Sequence, residues 1–129
     1  MYRVYTALVT PFVDYKIDFE SLHKLIDKAN NSKCKGVVAL GSTGESHLLD
    51  DKQKLAVLKF VAKHSTKTVI AGVSSPSTNT CASLAKKYSQ AGANALLMTP
   101  PYFVCCNGKG LLKHFENVQK ATKLPIILY

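Results

Sequence analysis

Apolar positions along this chain change period repeatedly, and each change marks an element. Val4 to Val9 is a β-rich run ended by Thr10-Pro11, whereas Leu22, Leu25, Ile26 and Ala29 recur at helical spacing across Phe19 to Asn31. Together they predict one strand-helix unit. Val37 to Leu40 predicts a second strand, and Asp50 to His64 a second helix with an apolar stripe of Leu55, Val57, Leu58, Val61 and Ala62. Thr68 to Gly72 predicts a third strand, followed by a Ser/Pro/Thr/Asn turn and a helix from Thr78 to Ala91. Ala95 to Met98 predicts a fourth strand. A loop with Pro100, Pro101, Asn107 and Gly108 then leads to a helix from Lys109 to Thr122, and Pro125-Ile126-Ile127-Leu128-Tyr129 begins a fifth strand.

Strict alternation of strand and helix with short connections predicts an α/β fold with a parallel sheet, because parallel neighbours need crossovers and the helices cover the sheet. Period alone leaves an open sheet and a barrel both available. Each unit spans about 30 residues, and a (β/α)8 barrel of roughly 250 residues contains eight of them. At that size this chain, about (βα)4 plus a fifth strand, would supply about half of such a TIM barrel, with residues 1–129 as a single incomplete domain.

Composition narrows the classes. With 129 residues and 47% apolar content the chain has the makings of one globular core. No apolar run approaches the roughly 20 residues needed to cross a bilayer. The N-terminus, Met1-Tyr2-Arg3-Val4-Tyr5-Thr6, lacks a charged region followed by a long apolar segment and cleavage site, so a cytoplasmic protein without membrane contact is expected. Lysine and arginine total 17 against 8 acidic residues, a net charge of +9. The lysines (Lys52, Lys54, Lys59, Lys63, Lys86, Lys87, Lys113, Lys120) are spread singly or in pairs without interleaved aromatics, which describes a solvated surface and not a nucleic-acid site. Such a surplus can still steer anionic substrates. Cys34, Cys81, Cys105 and Cys106 show no Cys-x-x-Cys spacing and no clustered histidines, so reduced thiols are expected and neither zinc nor another metal nor a redox motif is indicated. The adjacent Cys105 and Cys106 leave open a reactive loop thiol.

The candidate chemistry gathers after the strands. Gly41-Ser42-Thr43-Gly44-Glu45-Ser46 follows the second strand: two glycines permit a tight turn, two hydroxyls lie between them, and a following helix would aim free N–H groups back at it. Such a turn can hold a carboxylate or phosphate, and the same residues also fit an ordinary strand-to-helix loop with a serine or threonine cap. Thr10-Pro11-Phe12, Thr99-Pro100-Pro101-Tyr102 and Tyr129 belong to the same end of the predicted sheet, where α/β folds place their sites. Hydroxyls and phenols dominate, which favours binding and protonating an oxygen-rich acid over metal chemistry or phosphoryl transfer. Glu45 reads as a structural carboxylate, and His47 as a surface or capping residue.

In order, Ala7-Leu8-Val9-Thr10-Pro11-Phe12, Gly41 to Ser46, Val69-Ile70-Ala71-Gly72, Thr99-Pro100-Pro101-Tyr102, Gly110-Leu111 with His114-Phe115, and Pro125 to Tyr129 resemble the dihydrodipicolinate synthase and N-acetylneuraminate lyase family of Schiff-base aldolases. The resemblance covers this whole chain but only the N-terminal half of a family member, and Glu45-Ser46, the Val69-Ile70-Ala71-Gly72 strand and the Pro-Pro-Tyr segment look more like the synthase branch. It implies a (β/α)8 barrel assembled as a homo-oligomer, no cofactor, and a reaction in which pyruvate forms an imine with a lysine. The resulting enamine attacks an aldehyde, aspartate semialdehyde in the synthases or a sugar acid in sister aldolases. By resemblance Thr43 binds the pyruvate carboxylate through its hydroxyl and N–H, while Ser42 and Tyr129 belong to a hydroxyl relay that moves protons.

The chain also departs from the family pattern. A second relay tyrosine, contributed across the dimer interface, falls on Phe103, which can pack but not transfer a proton; Tyr102 matches the neighbouring interface aromatic. The loop Val104 to Lys109 lacks the usual Pro and Glu, and Val73-Ser74-Ser75-Pro76 lacks the residues that serve lysine feedback in some members. The imine-forming lysine belongs to the family's sixth strand and a substrate-binding arginine follows the tyrosine matched by Tyr129, so none of the sixteen lysines here matches the nucleophile. Little or no synthase activity is expected of the chain alone, and a non-catalytic, self-associating half barrel is the competing expectation.

Overall fold

A computed structural model describes residues 4–129; the Met1–Arg3 part of the leader reading lies outside the described residues. The strands are β1 (Tyr5–Ala7), β2 (Phe12–Val13), β3 (Lys16–Ile17), β4 (Gly36–Ala39), β5 (Thr68–Gly72), β6 (Ala95–Met98) and β7 (Ile126–Leu128). The helices are α1 (Phe19–Asn30), α2 (Asp51–His64), α3 (Thr78–Gln90) and α4 (Gly108–Lys120). Five strands form one parallel sheet in the order β1-β4-β5-β6-β7, so every sequential strand-helix-strand step lands on the adjacent position. Among the described residues, β1 and β7 have unpaired outer edges.

Each helix begins on a side-chain cap that satisfies an otherwise orphaned N–H. Asp18, Asp50, Ser77 and Asn107 accept from Ser21, Gln53, Thr80 and Gly110, and at Asp50 the Gln53 side chain returns the bond to complete a capping box. The bonds from Ser21 hold the Asp18 carboxyl below its ordinary pKa. These caps fix where the helices start, and their apolar stripes decide how they lie.

Register puts Thr6, Val37 and Val69 on one face of the sheet with Ala39, Ala71, Leu96 and Ile126; Val38, Ile70, Leu97 and Ile127 occupy the other. The helices cover the first face alone. There Val37, Ala39, Val69, Ala71, Leu96 and Met98 close against Leu22, Ile26, Val57, Leu58, Val61, Leu84, Tyr88 and Val118 in one core. On the second face Val9, Ile127 and Tyr129 are largely open.

Two local features depart from the sequence expectation. The first strand is confined to Tyr5–Ala7 and is followed by an antiparallel hairpin, β2 with β3. Its turn residues Asp14 and Tyr15 have φ of 47° and 60°, a pair of left-handed residues that matches the twist of a two-residue hairpin but carries no Gly signal in the sequence. The second departure follows β4: the Gly41–Ser46 turn leads into a single 3-10 turn, Ser46–Leu48, while α2 begins separately at Asp51 on the Asp50 cap. No full helix therefore aims its N-terminus at that turn.

Candidate active site

The Gly41–Ser46 turn is held from both sides. Leu40, just past β4, is buried with φ of 59°, a left-handed backbone unusual for an apolar residue. That conformation brings its carbonyl against Gly72 at the end of β5, where a methyl group would collide with it. On the opposite side the Thr10 hydroxyl donates to the Gly44 carbonyl at 2.7 Å, and an added Cβ at Gly44 would stand 3.0 Å from the Leu8 carbonyl. Within the turn Gly44 N–H donates to the Gly41 carbonyl at 3.1 Å and Glu45 N–H to the Ser42 carbonyl at 3.0 Å.

Ser42 and Thr43 stand exposed at the tip. Among the described residues, neither their N–H groups nor their hydroxyls have a hydrogen-bond partner, so up to four donors are free to meet an anion. Glu45, at φ 52°, starts the 3-10 turn without a side-chain cap bond, and His47 is exposed.

The other strand ends complete the rim. Tyr129 continues β7, its N–H donating to the Met98 carbonyl at 2.9 Å, and alternation with Ile127 puts its side chain on the uncovered face, 75% exposed. Ser42 and Tyr129 thus share one end of the sheet but stand three strand spacings apart, about 14 Å along a flat sheet. Among the described residues no hydrogen bond joins them. Thr99 lies between, its N–H bonded to the Ser74 hydroxyl at 3.2 Å and its own hydroxyl buried without a partner.

Tyr102 and Phe103 project from the loop after β6, their rings edge-on with centroids 5.5 Å apart. Phe103 is 98% exposed with φ of 63°, an open aromatic on strained backbone. Cys105 and Cys106 are exposed in the same loop. A groove of some 670 Å³ lies elsewhere: Phe115, Gln119, Ile126 and Leu128 line it on the helix side of the β7 edge.

Sequence reading located the turn and the strand ends but missed what holds them: the left-handed Leu40 carries no local mark, and only Gly72 hints that another backbone comes close. It also missed that His23 and His64, far apart in sequence, pack with ring centroids 4.7 Å apart. Among the described residues no group of three or more His, Cys, Asp or Glu gathers as metal ligands.

The fold has counterparts among known proteins. The 4-hydroxy-tetrahydrodipicolinate synthase of Caldicellulosiruptor bescii is 39% identical over 126 residues, which span 95% of this chain and 43% of that protein. The solved synthase of Methylacidiphilum fumariolicum SolV superposes with a TM-score of 0.94 at 31% identity, over 97% of this chain and 42% of that one. The Acinetobacter baumannii dihydrodipicolinate synthase, solved with pyruvate, gives 0.93 at 32% identity over 96% and 44%. The chain spans less than half the length of these relatives, and its parallel sheet with four helices matches the N-terminal part of their TIM barrels. Residues 1–129 match the Dihydrodipicolinate synthetase family throughout, and the chain belongs to that family.

Proposed function

We propose that this chain is the pyruvate-binding N-terminal portion of a Schiff-base lyase that condenses pyruvate with aspartate semialdehyde, a step of lysine biosynthesis in the cytoplasm. The observation that carries the reading is the Gly41–Ser46 turn, whose unpartnered donors at Ser42 and Thr43 stand at the C-terminal end of the sheet. Donors fixed before a ligand arrives lose little on ordering, which suits them to a carboxylate. Thr43 would take the pyruvate carboxylate, and Ser42 and Tyr129 would pass protons to and from the imine and the growing product. Their separation along the sheet calls for substrate or a further hydroxyl between them.

The nucleophilic lysine belongs to a segment beyond Tyr129 in the family pattern, so the chain alone supplies binding groups without the amine. Tyr102 and Phe103 are proposed to pack against a second subunit. The uncovered apolar face supports association, since apolar surface of this extent is seldom left to water.

A chimera joining this chain after Tyr129 to the remaining portion of the Caldicellulosiruptor bescii relative tests the reading. Incubated with pyruvate and borohydride, the chimera should gain one pyruvyl adduct by intact mass and the isolated chain none. The chimera should also consume aspartate semialdehyde, with Thr43→Val raising KM for pyruvate and Ser42→Ala lowering kcat. A folded chimera that turns over N-acetylneuraminate and not aspartate semialdehyde would identify a sister aldolase. One that forms no adduct would leave a non-catalytic module.

A further inference from the structure

At the end of the sheet opposite the Gly41–Ser46 turn, two segments distant in sequence meet at one thiol. Cys34 precedes β4, Lys67 precedes β5, and Ala29 and Ser32 belong to the last turn of α1 and its exit. The Lys67 ammonium donates to the Ser32 carbonyl at 2.6 Å and the Ala29 carbonyl at 2.9 Å, and stands 3.9 Å from Cys34 Sγ. Two of its three protons are thereby committed, and the third is left for the sulfur. The Ser32 hydroxyl lies 2.9 Å from the same sulfur.

Counting protons shows that this cluster lacks an acceptor. The Ala29 carbonyl has two lone pairs, yet it faces the N–H groups of Asn31 and Ser32, the Ser32 hydroxyl at 2.8 Å, Lys67 Nζ, and the Cys34 thiol at 3.3 Å. Among the described residues no carboxylate pairs with Lys67, so a half-buried ammonium has no counter-ion but the sulfur. Loss of the thiol proton removes the surplus donor and makes Sγ a stronger acceptor for the Lys67 N–H and for the Ser32 O–H, which otherwise donates to Ala29. The nearby cation and the crowded donors therefore both favour the thiolate over the thiol.

Two controls lie in the same molecule. Cys81 is sealed in the core, where burial pushes its thiol up to about 11. Cys105 and Cys106 are exposed but have no hydrogen-bond partner among the described residues. Hydrogen bonds from Ser32 and Thr6, together with the Lys67 charge, hold the Cys34 thiol below its ordinary value despite partial burial.

We propose that Cys34, clamped between Lys67 and Ser32, is a hydroperoxide-reactive thiol, an oxidative modification site at the end of the sheet remote from the substrate turn. The thiolate sulfur attacks one peroxide oxygen; the S–O bond forms as the O–O bond breaks. Cysteine sulfur is oxidised by two electrons to the sulfenic acid, and the leaving hydroxide, the reduced product, takes a proton to become water. Lys67 remains an ammonium throughout.

The test is dimedone trapping of the intact chain in dilute hydrogen peroxide at neutral pH, with peptide mapping to read each cysteine. Cys34 should be labelled about tenfold faster than Cys105 or Cys106 although it is less exposed, because thiolate fraction and not access sets the rate. Lys67→Gln should remove that advantage while leaving the Cys105 and Cys106 rates unchanged, and Lys67→Arg should retain most of it. Since Lys67 also ties down the exit of α1, Ser32→Ala provides a second variant that keeps the cation and should slow Cys34 severalfold. Faster labelling of the loop cysteines in the wild-type chain would overturn the proposal. So would a folded Lys67→Gln chain with an unchanged Cys34 rate.

Discussion

The two faces of the five-stranded sheet carry similar apolar side chains but live in different surroundings. On the helix-clad face Val37, Ala39, Ala71, Leu96 and Met98 are essentially sealed, and only toward the β7 edge does Leu128 open to 62%; on the other, Ile70 and Ala95 on the central strands are buried, whereas Val9 is 46%, Ile127 42% and Tyr129 75% exposed. Parallel strands built from βαβ units usually have both faces covered. Here the first face holds the fold, while the second keeps apolar groups open to solvent. The Gly41–Ser46 turn and Tyr129 stand at one end of this divided sheet, so the groups proposed for chemistry depend on the sealed face for position and on the open face for their environment.

Substitutions can break that contrast. The largest effect is expected at Leu58, fully buried between α2 and the sheet: Leu58→Ala should cost about 2–5 kcal/mol, read from urea denaturation, because the vacated volume cannot collapse. Gly72→Ala comes next. It lies on the uncovered face but touches the Leu40 carbonyl, and relieving the collision should cost about 1–3 kcal/mol while moving the amide resonances of Ser42 and Thr43. If those resonances stay in place, β5 does not position the turn.

A smaller effect is expected from pH. His114, on α4, is 4% exposed; its Nδ1 meets the Thr78 hydroxyl at 2.8 Å and its Nε2 has no partner among the described residues. Burial lowers its pKa, so the unfolded chain binds a proton more readily than the folded one. Its stabilising contribution is complete above the unfolded value of about 6.5 and is lost as pH falls through the lower folded value. Tm should fall on going from pH 7.5 to 5.5, and fall less in His114→Gln. An equal fall in both chains would place the titration elsewhere. The smallest effect sharpens the comparison from the other side: Ile127→Thr, on the open face, should change stability of the isolated chain by no more than about 0.5 kcal/mol. A loss matching that of Leu58→Ala would mean that the open face is covered in solution.

Legibility followed the range of the interactions. The helices were readable because Leu22, Leu25, Ile26 and Ala29, and likewise Val57, Leu58 and Val61, repeat at the helical period; the caps at Asp18, Asp50 and Ser77 that fix their starts entered with the structure. The short hairpin after β1 escaped notice because each of its strands is two residues long and its turn is Asp14-Tyr15 instead of a glycine pair. The expected helix behind Gly41–Ser46 gave way to one 3-10 turn because Asp50, and not the turn itself, supplies the helix cap. Of the candidate site, Ser42, Thr43 and Tyr129 were visible as residue types at strand ends, but the three strand spacings between Ser42 and Tyr129 were not.

By itself the sequence determined the element order, the helix starts, the parallel sheet and the family to which six motifs in register belong, since each depends on neighbours a few residues apart or on their order along the chain. Tertiary structure alone decided which face of the sheet is sealed, that Leu40 turns left-handed against Gly72, that Thr10 fastens Gly44, and that Cys34 meets Lys67. Those contacts join residues 30 or more positions apart, and no local period encodes them; they exist only once parallel strands bring distant backbone within hydrogen-bond reach.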